Sequence, residues 1–201
     1  MTDEVEEHIA DINFENFYRP AFPSLGESQV FHERLKALSP PNNKPLVLYH
    51  QAGRMIWLGD RIDTVAAGRP AFQVLFYIIA AELAAKIAFG FQGEGRSREH
   101  VRRFFEEICS ERHRTRLATA FHRVAGAYLS CREAIDFLYD VRCDVVHEGR
   151  YYSLNLRTPE SQFPMMTGRG DNGPITDISL PELRAIVLEG SVLACRKLAP
   201  S

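Results

Sequence analysis

The sequence predicts an all-α fold, and two patterns along the chain support this prediction. Apolar residues recur at the three- and four-residue spacing of a helix face, for example at Met55, Leu58, Ile62 and Val65. Only one short region, which begins at "YYSLNL", has a sequence that favours extended structure. We therefore expect a helical bundle with a small extended and loop insertion before its last helix.

Four regions are predicted along the 201 residues. They are an N-terminal arm (1–45), a helical core (46–150), an extended segment with a loop (151–178) and a C-terminal helix that packs on the core (179–201). The arm contains one short helix at 28–39 and ends at the breaker "PPNNKP". The last helix is amphipathic and is predicted to begin after a capping serine, Ser179.

The segment "AFQVLFYIIAAELAAKIAFGF", residues 71–91, is apolar nearly all round. It is long enough to span a bilayer, but Glu82 and Lys86 would each cost about 2.5–3.5 kcal/mol at the membrane centre. We therefore predict a buried central helix and no membrane association. Glu82 and Lys86 are four residues apart, so they are expected to pair. Gly68 and Pro70 mark the break before this helix.

Composition and charge are those of an ordinary soluble domain. The formal net charge is −2, with 45% apolar and 25% charged residues, which argues against a disordered or basic tail protein. The N-terminus is acidic and lacks the basic-then-apolar pattern of a secretory signal, so a cytoplasmic protein is expected. The four cysteines have no CxxC spacing, which predicts free thiols and neither a metal site nor a cofactor.

Arginine is concentrated between Arg96 and Arg123, where eight arginines occur with four glutamates. We expect this segment to be helical after a capping residue, Ser97. Its local positive charge would suit a phosphate backbone, or it would form a solvated face with ion pairs such as Arg103 with Glu107. Both interpretations remain open. The candidate RNA-binding residues are Arg96, Arg98, Arg102, Arg103, Arg112, Arg114 and Arg116.

A helix predicted from Ser130 to His147 places an arginine on its apolar face. At 100° per residue, one continuous arc holds Ala134, Ile135, Phe137, Leu138, Tyr139, Val141, Val145 and Val146. Arg142 lies inside this arc, whereas His147 lies about 140° away on the polar side. A charge on an apolar face is unfavourable unless it is paired or used. Arg142 has a structural and a functional explanation. In the structural one, its stem packs while the charged head reaches solvent, or the head pairs with a buried acid, for which Glu82 is the candidate. In the functional one, it faces a cleft or subunit interface where it binds phosphate.

Gly149 predicts where this helix ends, because glycine favours the left-handed conformation that follows many helices. An end at about His147 would let the imidazole turn towards Arg142. The partial negative charge of a helix C-terminus would also favour the protonated imidazole. The local sequence leaves two interpretations open: His147 only caps the end of the helix, or it shares a site with Arg142.

The stretch "LYDVRCDVVHEG" resembles the signature of the HEPN (higher eukaryote and prokaryote nucleotide-binding) superfamily. That signature is an arginine, four to six further residues, and a histidine at a helix end, often followed by glycine. The upstream "LFYIIAAELAAKIAFG" is similar to the apolar, glutamate-bearing helix that precedes the motif in this family. The resemblance covers residues 70–150. It implies a helical bundle that dimerises across the motif and, in many members, a metal-independent endoribonuclease that acts as a toxin or in phage defence.

The resemblance implies that Arg142 and His147 are the catalytic residues. Cleavage of RNA through its own 2′-hydroxyl requires a base, an acid and positive charge at the phosphate, and a two-fold dimer would supply two copies of each residue. Asp144, Tyr139 and Glu82 are the expected supporting residues of such a site, as an orienting acid, a phenol donor and a buried acid.

One position departs from the family pattern. The residue after the motif arginine is usually Asn, Asp or His, and here it is Cys143, which we interpret as a small, partly buried residue rather than a nucleophile. This departure leaves open a non-catalytic module that binds nucleotide, RNA or a partner protein, such as an antitoxin or a nucleotidyltransferase. A further alternative is a helical interaction protein in which Arg142 only pairs with Glu82.

Overall fold

The computed structural model describes residues 13–91, 93–124, 126–152, 154–157, 165–166 and 173–199. These residues are mostly helical, which confirms the predicted all-α bundle. The helices are α1 (Phe14–Tyr18), α2 (Leu25–Lys36), α3 (Lys44–Ile62), α4 (Pro70–Ala88), α5 (Ser97–Arg103), α6 (Glu111–Ala118), α7 (Cys131–Glu148) and α8 (Leu180–Leu198). A 3-10 turn, Arg19–Ala21, follows α1, and a π-helical turn, Phe104–Ile108, follows α5.

Helix α4 lies at the centre of the bundle and packs against α3, α5, α7 and α8. Its small residues Ala80, Ala81, Ala84 and Ala85 are fully buried, so neighbouring helices approach it closely on several sides. The prediction of a buried central helix is confirmed. Among the described residues, α4 is also the one helix long and apolar enough to cross a membrane, and half of its 18-residue apolar window is buried within the protein.

Local capping signals determine where several helices begin. Ser130 and Ser179 each accept a hydrogen bond from the backbone N–H of a glutamate three residues later, and that glutamate bonds back to the serine. Both predicted starts are therefore confirmed. Ser24 caps α2 in the same position, so the arm helix starts at Leu25 rather than at residue 28 as predicted.

The arginine-rich segment is less regular than the sequence predicts. The residue before α5 is Arg96, in the left-handed region with φ 58°, so the predicted cap residue Ser97 is instead the first residue of the helix. The chain leaves the helical conformation at Cys109, where ψ is 149°. It re-enters at α6, which is capped by Ser110. This break allows the two halves of the segment to pack against different neighbours.

A small antiparallel sheet lies beside the helices, in the strand order β1 (Phe121–His122), β3 (Ile175–Thr176) and β2 (Met165–Met166). The buried Thr176 hydroxyl donates to the carbonyls of Asn155 and Met165, which ties the sheet to the chain that follows α7. The sheet thus includes part of the predicted 151–178 insertion. The loop predicted within that insertion and the first twelve residues of the N-terminal arm lie largely outside the described residues.

Candidate functional site

Helix α7 carries the motif and is buried along only part of its length. Ala134, Ile135, Leu138 and Val141 pack into the core, as the predicted apolar arc requires. Val146 was predicted to continue this face, but its side chain is 50% exposed because the last turn of α7 is open to solvent. The apolar face of α7 therefore continues onto the surface of the isolated chain.

A buried carboxylate on α4 organises the opposite side of the site. Glu82 Oε1 lies 2.7 Å from Lys86 Nζ and accepts a 2.7 Å hydrogen bond from the Ser97 hydroxyl. Burial by itself would raise the pKa of Glu82. The hydrogen bonds from Lys86 and Ser97 and the positive charges of Lys86 and Arg142 outweigh burial, so the pKa lies below its ordinary value. Glu82 is therefore ionised at neutral pH, and its predicted pairing with Lys86 is confirmed.

Arg142 reaches this carboxylate but does not form a hydrogen bond with it. Its Nη2 lies 3.8 Å from Glu82 Oε2, beyond the usual range of about 2.7–3.2 Å. Its Nε is buried and has no hydrogen-bond partner among the described residues. The side chain is 18% exposed. The predicted ion pair with Glu82 is present, yet the guanidinium keeps unused donors.

The Tyr139 ring lies close to two guanidinium groups. The Cζ atom of Arg98 lies 4.6 Å from the centre of the Tyr139 ring, and that of Arg142 lies 5.7 Å from it. Burial and the neighbouring thiol of Cys143 raise the pKa of Tyr139, so the phenol stays protonated. Cys143 is partly buried, as the sequence predicts. The tyrosine ring thus helps to hold Arg98 and Arg142 together on one side of α7.

His147 lies in the exposed last turn of α7. Gly149 ends the helix in the left-handed conformation, with φ 62° and its N–H bonded to the Asp144 carbonyl, as predicted. The helix nevertheless continues to Glu148, one residue further than predicted, so His147 keeps its helical position about 140° from Arg142. The His147 side chain forms no hydrogen bond or ion pair with any residue that the structure describes. A single chain therefore does not bring Arg142 and His147 together.

The predicted RNA-binding arginines are engaged with carboxylates. Arg102 donates two 2.7 Å hydrogen bonds to Asp136, and Arg98 donates one of 2.6 Å to Asp140. The further pairs are Arg96 with Glu99, Arg103 with Glu107, Arg112 with Glu189, Arg114 with Glu111, and Arg116 with Glu182. The Arg103–Glu107 pair is the one that the solvated-face interpretation predicts. These pairs compensate much of the local positive charge.

Sequence reasoning missed two contributors to this region. Ser97 was expected to cap a helix, and no local pattern indicates that its hydroxyl reaches Glu82. His100 is buried, packs against the Phe91 ring, and has no partner for either ring nitrogen among the described residues. Burial, together with the positive charge of Lys86, lowers the pKa of His100, so this histidine is neutral.

Within the described ranges, no group of three or more His, Cys, Asp or Glu side chains is arranged to hold a metal ion. Comparison of the chain with protein-family models, curated proteins and solved structures finds no match in any of the three. Function is therefore inferred from the residues of this chain alone.

Proposed function

We propose that the protein is a metal-independent endoribonuclease of the HEPN type, which acts as a homodimer with Arg142 and His147 from both chains in one site. The main support for this proposal is the environment of the Arg142 side chain. Its guanidinium is held in a partly buried position, with a donor that has no partner in the described structure and an acid just beyond hydrogen-bonding distance. The Arg142 side chain is 18% exposed, so a phosphate oxygen at its solvent-facing side would accept hydrogen bonds from the guanidinium.

The charge balance around Glu82 supports a role for Arg142 in binding an anion. Glu82 carries one negative charge, and Lys86 already neutralises it at 2.7 Å. The Arg142 charge is therefore left over, so the Glu82, Lys86 and Arg142 cluster has a formal charge of +1. An anion such as a phosphodiester would balance it without disturbing the shorter Lys86 contact.

The exposed end of α7 supports a dimer. Val146 is 50% exposed next to His147, and Val145 and Tyr139 are partly buried on the same helix. A two-fold axis near this turn would bury Val146 and bring the two copies of His147 close together. It would also place His147 of one chain near Arg142 of the other, which the geometry of one helix does not allow.

The proposed cleavage of RNA needs neither a water molecule nor a metal ion. One imidazole takes the proton of a 2′-hydroxyl, whose oxygen attacks the adjacent phosphorus, and the bond from phosphorus to the 5′-oxygen breaks. The second imidazole, protonated, donates a proton to the departing 5′-oxygen. The two Arg142 groups stabilise the extra negative charge of the transition state. The products are a 2′,3′-cyclic phosphate and a free 5′-hydroxyl.

Glu82, Tyr139 and Asp144 act through other residues in this proposal. Glu82 and Tyr139 position the Arg142 guanidinium, which lies 3.8 Å from the carboxylate and 5.7 Å from the centre of the ring. Asp144, three residues before His147 on α7, is the acid that orients its imidazole. RNA in the cytoplasm would be the substrate, as in toxin or phage-defence enzymes. An antitoxin or a nucleotidyltransferase would be the regulatory partner.

The direct test is cleavage of total RNA and of a structured transfer RNA in EDTA by wild type, His147→Ala and His122→Ala. His122 is a matched control, because it is partly exposed and lies outside the site. We expect wild type and His122→Ala to cleave, with 2′,3′-cyclic phosphate ends, and His147→Ala to be inactive. Equal cleavage by wild type and His147→Ala would contradict the proposed role of His147.

Mixing the two chains tests whether the site is shared. If both copies of His147 are needed, activity at constant total protein falls with the square of the wild-type fraction as inactive His147→Ala chains exchange into dimers. If each chain has its own site, activity falls in direct proportion to that fraction. A linear decrease after complete subunit exchange would contradict the composite site.

A second candidate function is a non-catalytic module that binds nucleotide, RNA or a partner protein. The observation that favours it is Cys143, which occupies the usual polar position and interacts with Tyr139. Folded, dimeric wild type that binds RNA without cleaving it would support this candidate and reject the nuclease.

A further inference from the structure

Three aromatic side chains and one arginine form a cluster on the surface beyond the end of α7. Phe72 and Tyr151 stack with ring centres 4.8 Å apart and an angle of 26° between the rings. Tyr152 meets Tyr151 edge to face, at 6.0 Å and 78°. The Arg69 guanidinium lies 5.9 Å from the centre of the Tyr151 ring. We call these four residues the aromatic platform.

The platform is accessible and carries a positive charge. Tyr152 is 65% exposed and Tyr151 is 37% exposed. Arg69 is also exposed, and it forms no ion pair with any residue that the structure describes. Single exposed aromatic residues are common on protein surfaces, but a contiguous group beside an uncompensated cation is characteristic of a binding surface.

The position of the platform relates it to the candidate site. Phe72 and Glu82 lie on the same helix, α4, and ten residues of helix span about 15 Å. Helix α7 packs against α4, so that Arg142 meets Glu82 while Tyr151, beyond the helix end, meets Phe72. His147 lies between Arg142 and Tyr151 along the chain. Stacked nucleotides rise about 3.4 Å each, so about four or five nucleotides would cover 15 Å.

The physical character of the platform favours one kind of occupant. Unpaired bases present flat π faces that stack on tyrosine rings, and phosphates attract the neighbouring guanidinium. Bases in a duplex are already stacked on their neighbours and do not offer these faces. The combination of exposed ring faces with a free cation therefore fits single-stranded RNA better than duplex RNA.

We infer that the aromatic platform stacks unpaired bases of the RNA whose backbone enters the Arg142 and His147 site, so that the protein selects single-stranded segments. This inference rests on the proposed function for the site, but binding to the platform is measurable without cleavage. Tyr152 is the principal stacking surface, because its ring is the most exposed of the three.

The test measures binding of a fluorescently labelled twelve-nucleotide oligoadenylate in EDTA. The protein is His147→Ala, which binds without turnover, alone and with Tyr152→Ala or Tyr152→Phe added. Tyr128→Ala is the matched control, because Tyr128 is 63% exposed and precedes the opposite end of α7. We expect Tyr152→Ala to weaken binding roughly 5- to 150-fold, the range for one lost base stack. Tyr152→Phe and Tyr128→Ala should bind as the parent does.

The outcomes separate the platform from the nuclease. Four results would each overturn the proposed role of the platform. The first two are that Tyr152→Ala binds the oligonucleotide as tightly as the parent, or that Tyr152→Ala and Tyr128→Ala lose the same amount of affinity. The other two are that a duplex of the same length binds equally well, or that the oligonucleotide does not bind at all. Cleavage by wild type with unchanged binding by Tyr152→Ala would leave the nuclease standing without the platform. Tyrosine-dependent binding by a wild-type protein that does not cleave would leave the platform standing without the nuclease.

Discussion

Replacing Arg142 by methionine distinguishes a functional arginine from a structural one. Methionine keeps much of the aliphatic stem and removes the guanidinium. At 3.8 Å from Glu82 the arginine forms no hydrogen bond, so the change does not remove a charge-assisted bond of about 1.5–3 kcal/mol. The change also removes the Arg142 Nε, which is buried and has no partner in the described chain. Burying such a donor costs about 1–3 kcal/mol, so its removal favours the folded state.

The electrostatic loss is expected to be small as well. Two unit charges about 4 Å apart attract each other by about 4 kcal/mol at an effective dielectric constant of 20. Desolvation of buried ions costs several kcal/mol each and offsets this attraction. Lys86 remains at 2.7 Å to compensate Glu82. We therefore expect Arg142→Met to lower the free energy of unfolding by about 1 kcal/mol or less.

The assays are urea unfolding and RNA cleavage in EDTA on the same protein preparation. We expect Arg142→Met to cleave about 100- to 1,000-fold more slowly, the effect of losing one stabilising group at a developing charge. Arg184→Met is the matched control, because Arg184 is also partly buried, donates 2.8 Å hydrogen bonds to Asp60, and is not one of the candidate site or RNA-binding residues. It should lose about 1.5–3 kcal/mol of stability, the contribution of a charge-assisted hydrogen bond, and retain cleavage.

A different pattern would refute this reasoning. If Arg142→Met lowered the free energy of unfolding by more than about 3 kcal/mol, the cost of breaking a buried ion pair, Arg142 would be a structural partner of Glu82. If the variant were stable and cleaved RNA at the wild-type rate, Arg142 would have no role in the reaction.

The remaining predictions concern stability. Ser130→Ala should lower the free energy of unfolding by about 1 kcal/mol in urea, because it removes the cap of the motif helix. Gly190→Ala should cost about 1–3 kcal/mol, since its Cβ would lie 2.5 Å from Phe104 Cζ, whereas the control Gly26→Ala meets nothing within 4 Å. Burial and a nearby ammonium group lower the pKa of His100 in the folded protein below its ordinary value of 6.5. On acidification His100 therefore becomes protonated in the unfolded chain at a higher pH than in the folded protein, so the free energy of unfolding falls as the pH drops below about 6.5. His100→Leu should lose this part of the pH dependence, by up to about 1.4 kcal/mol per pH unit.

Each of these predictions has an opposing result. Wild-type unfolding of Ser130→Ala would mean that the cap contributes nothing to the stability of α7. Equal stability of Gly190→Ala and Gly26→Ala would show that the contact with Phe104 relaxes without cost. If the free energy of unfolding changed with pH equally in wild type and His100→Leu between pH 7.5 and 5.5, His100 would not be held neutral in the folded state.

The all-α class, the buried central helix and several helix ends could be predicted because their causes are local. A serine three residues before a glutamate is a local signal for a helix start, and it forms a complete capping box at Ser130 and Ser179. Gly149 ends α7 for an equally local reason, since glycine adopts a positive φ at little cost. The spacing of Glu82 and Lys86 within one helix likewise determines that they meet.

Tertiary structure decided the contacts between residues far apart in the chain. Ser97 reaches Glu82 across fifteen residues, and Arg112 reaches Glu189 across seventy-seven. Such contacts depend on how whole helices pack, which no local spacing determines. The same packing leaves Arg142 short of a hydrogen bond and His147 on another side of α7. The residues of α7 and the position of its end follow from local sequence. Which of those residues have partners depends on packing, because the partners lie on other helices that packing brings against α7.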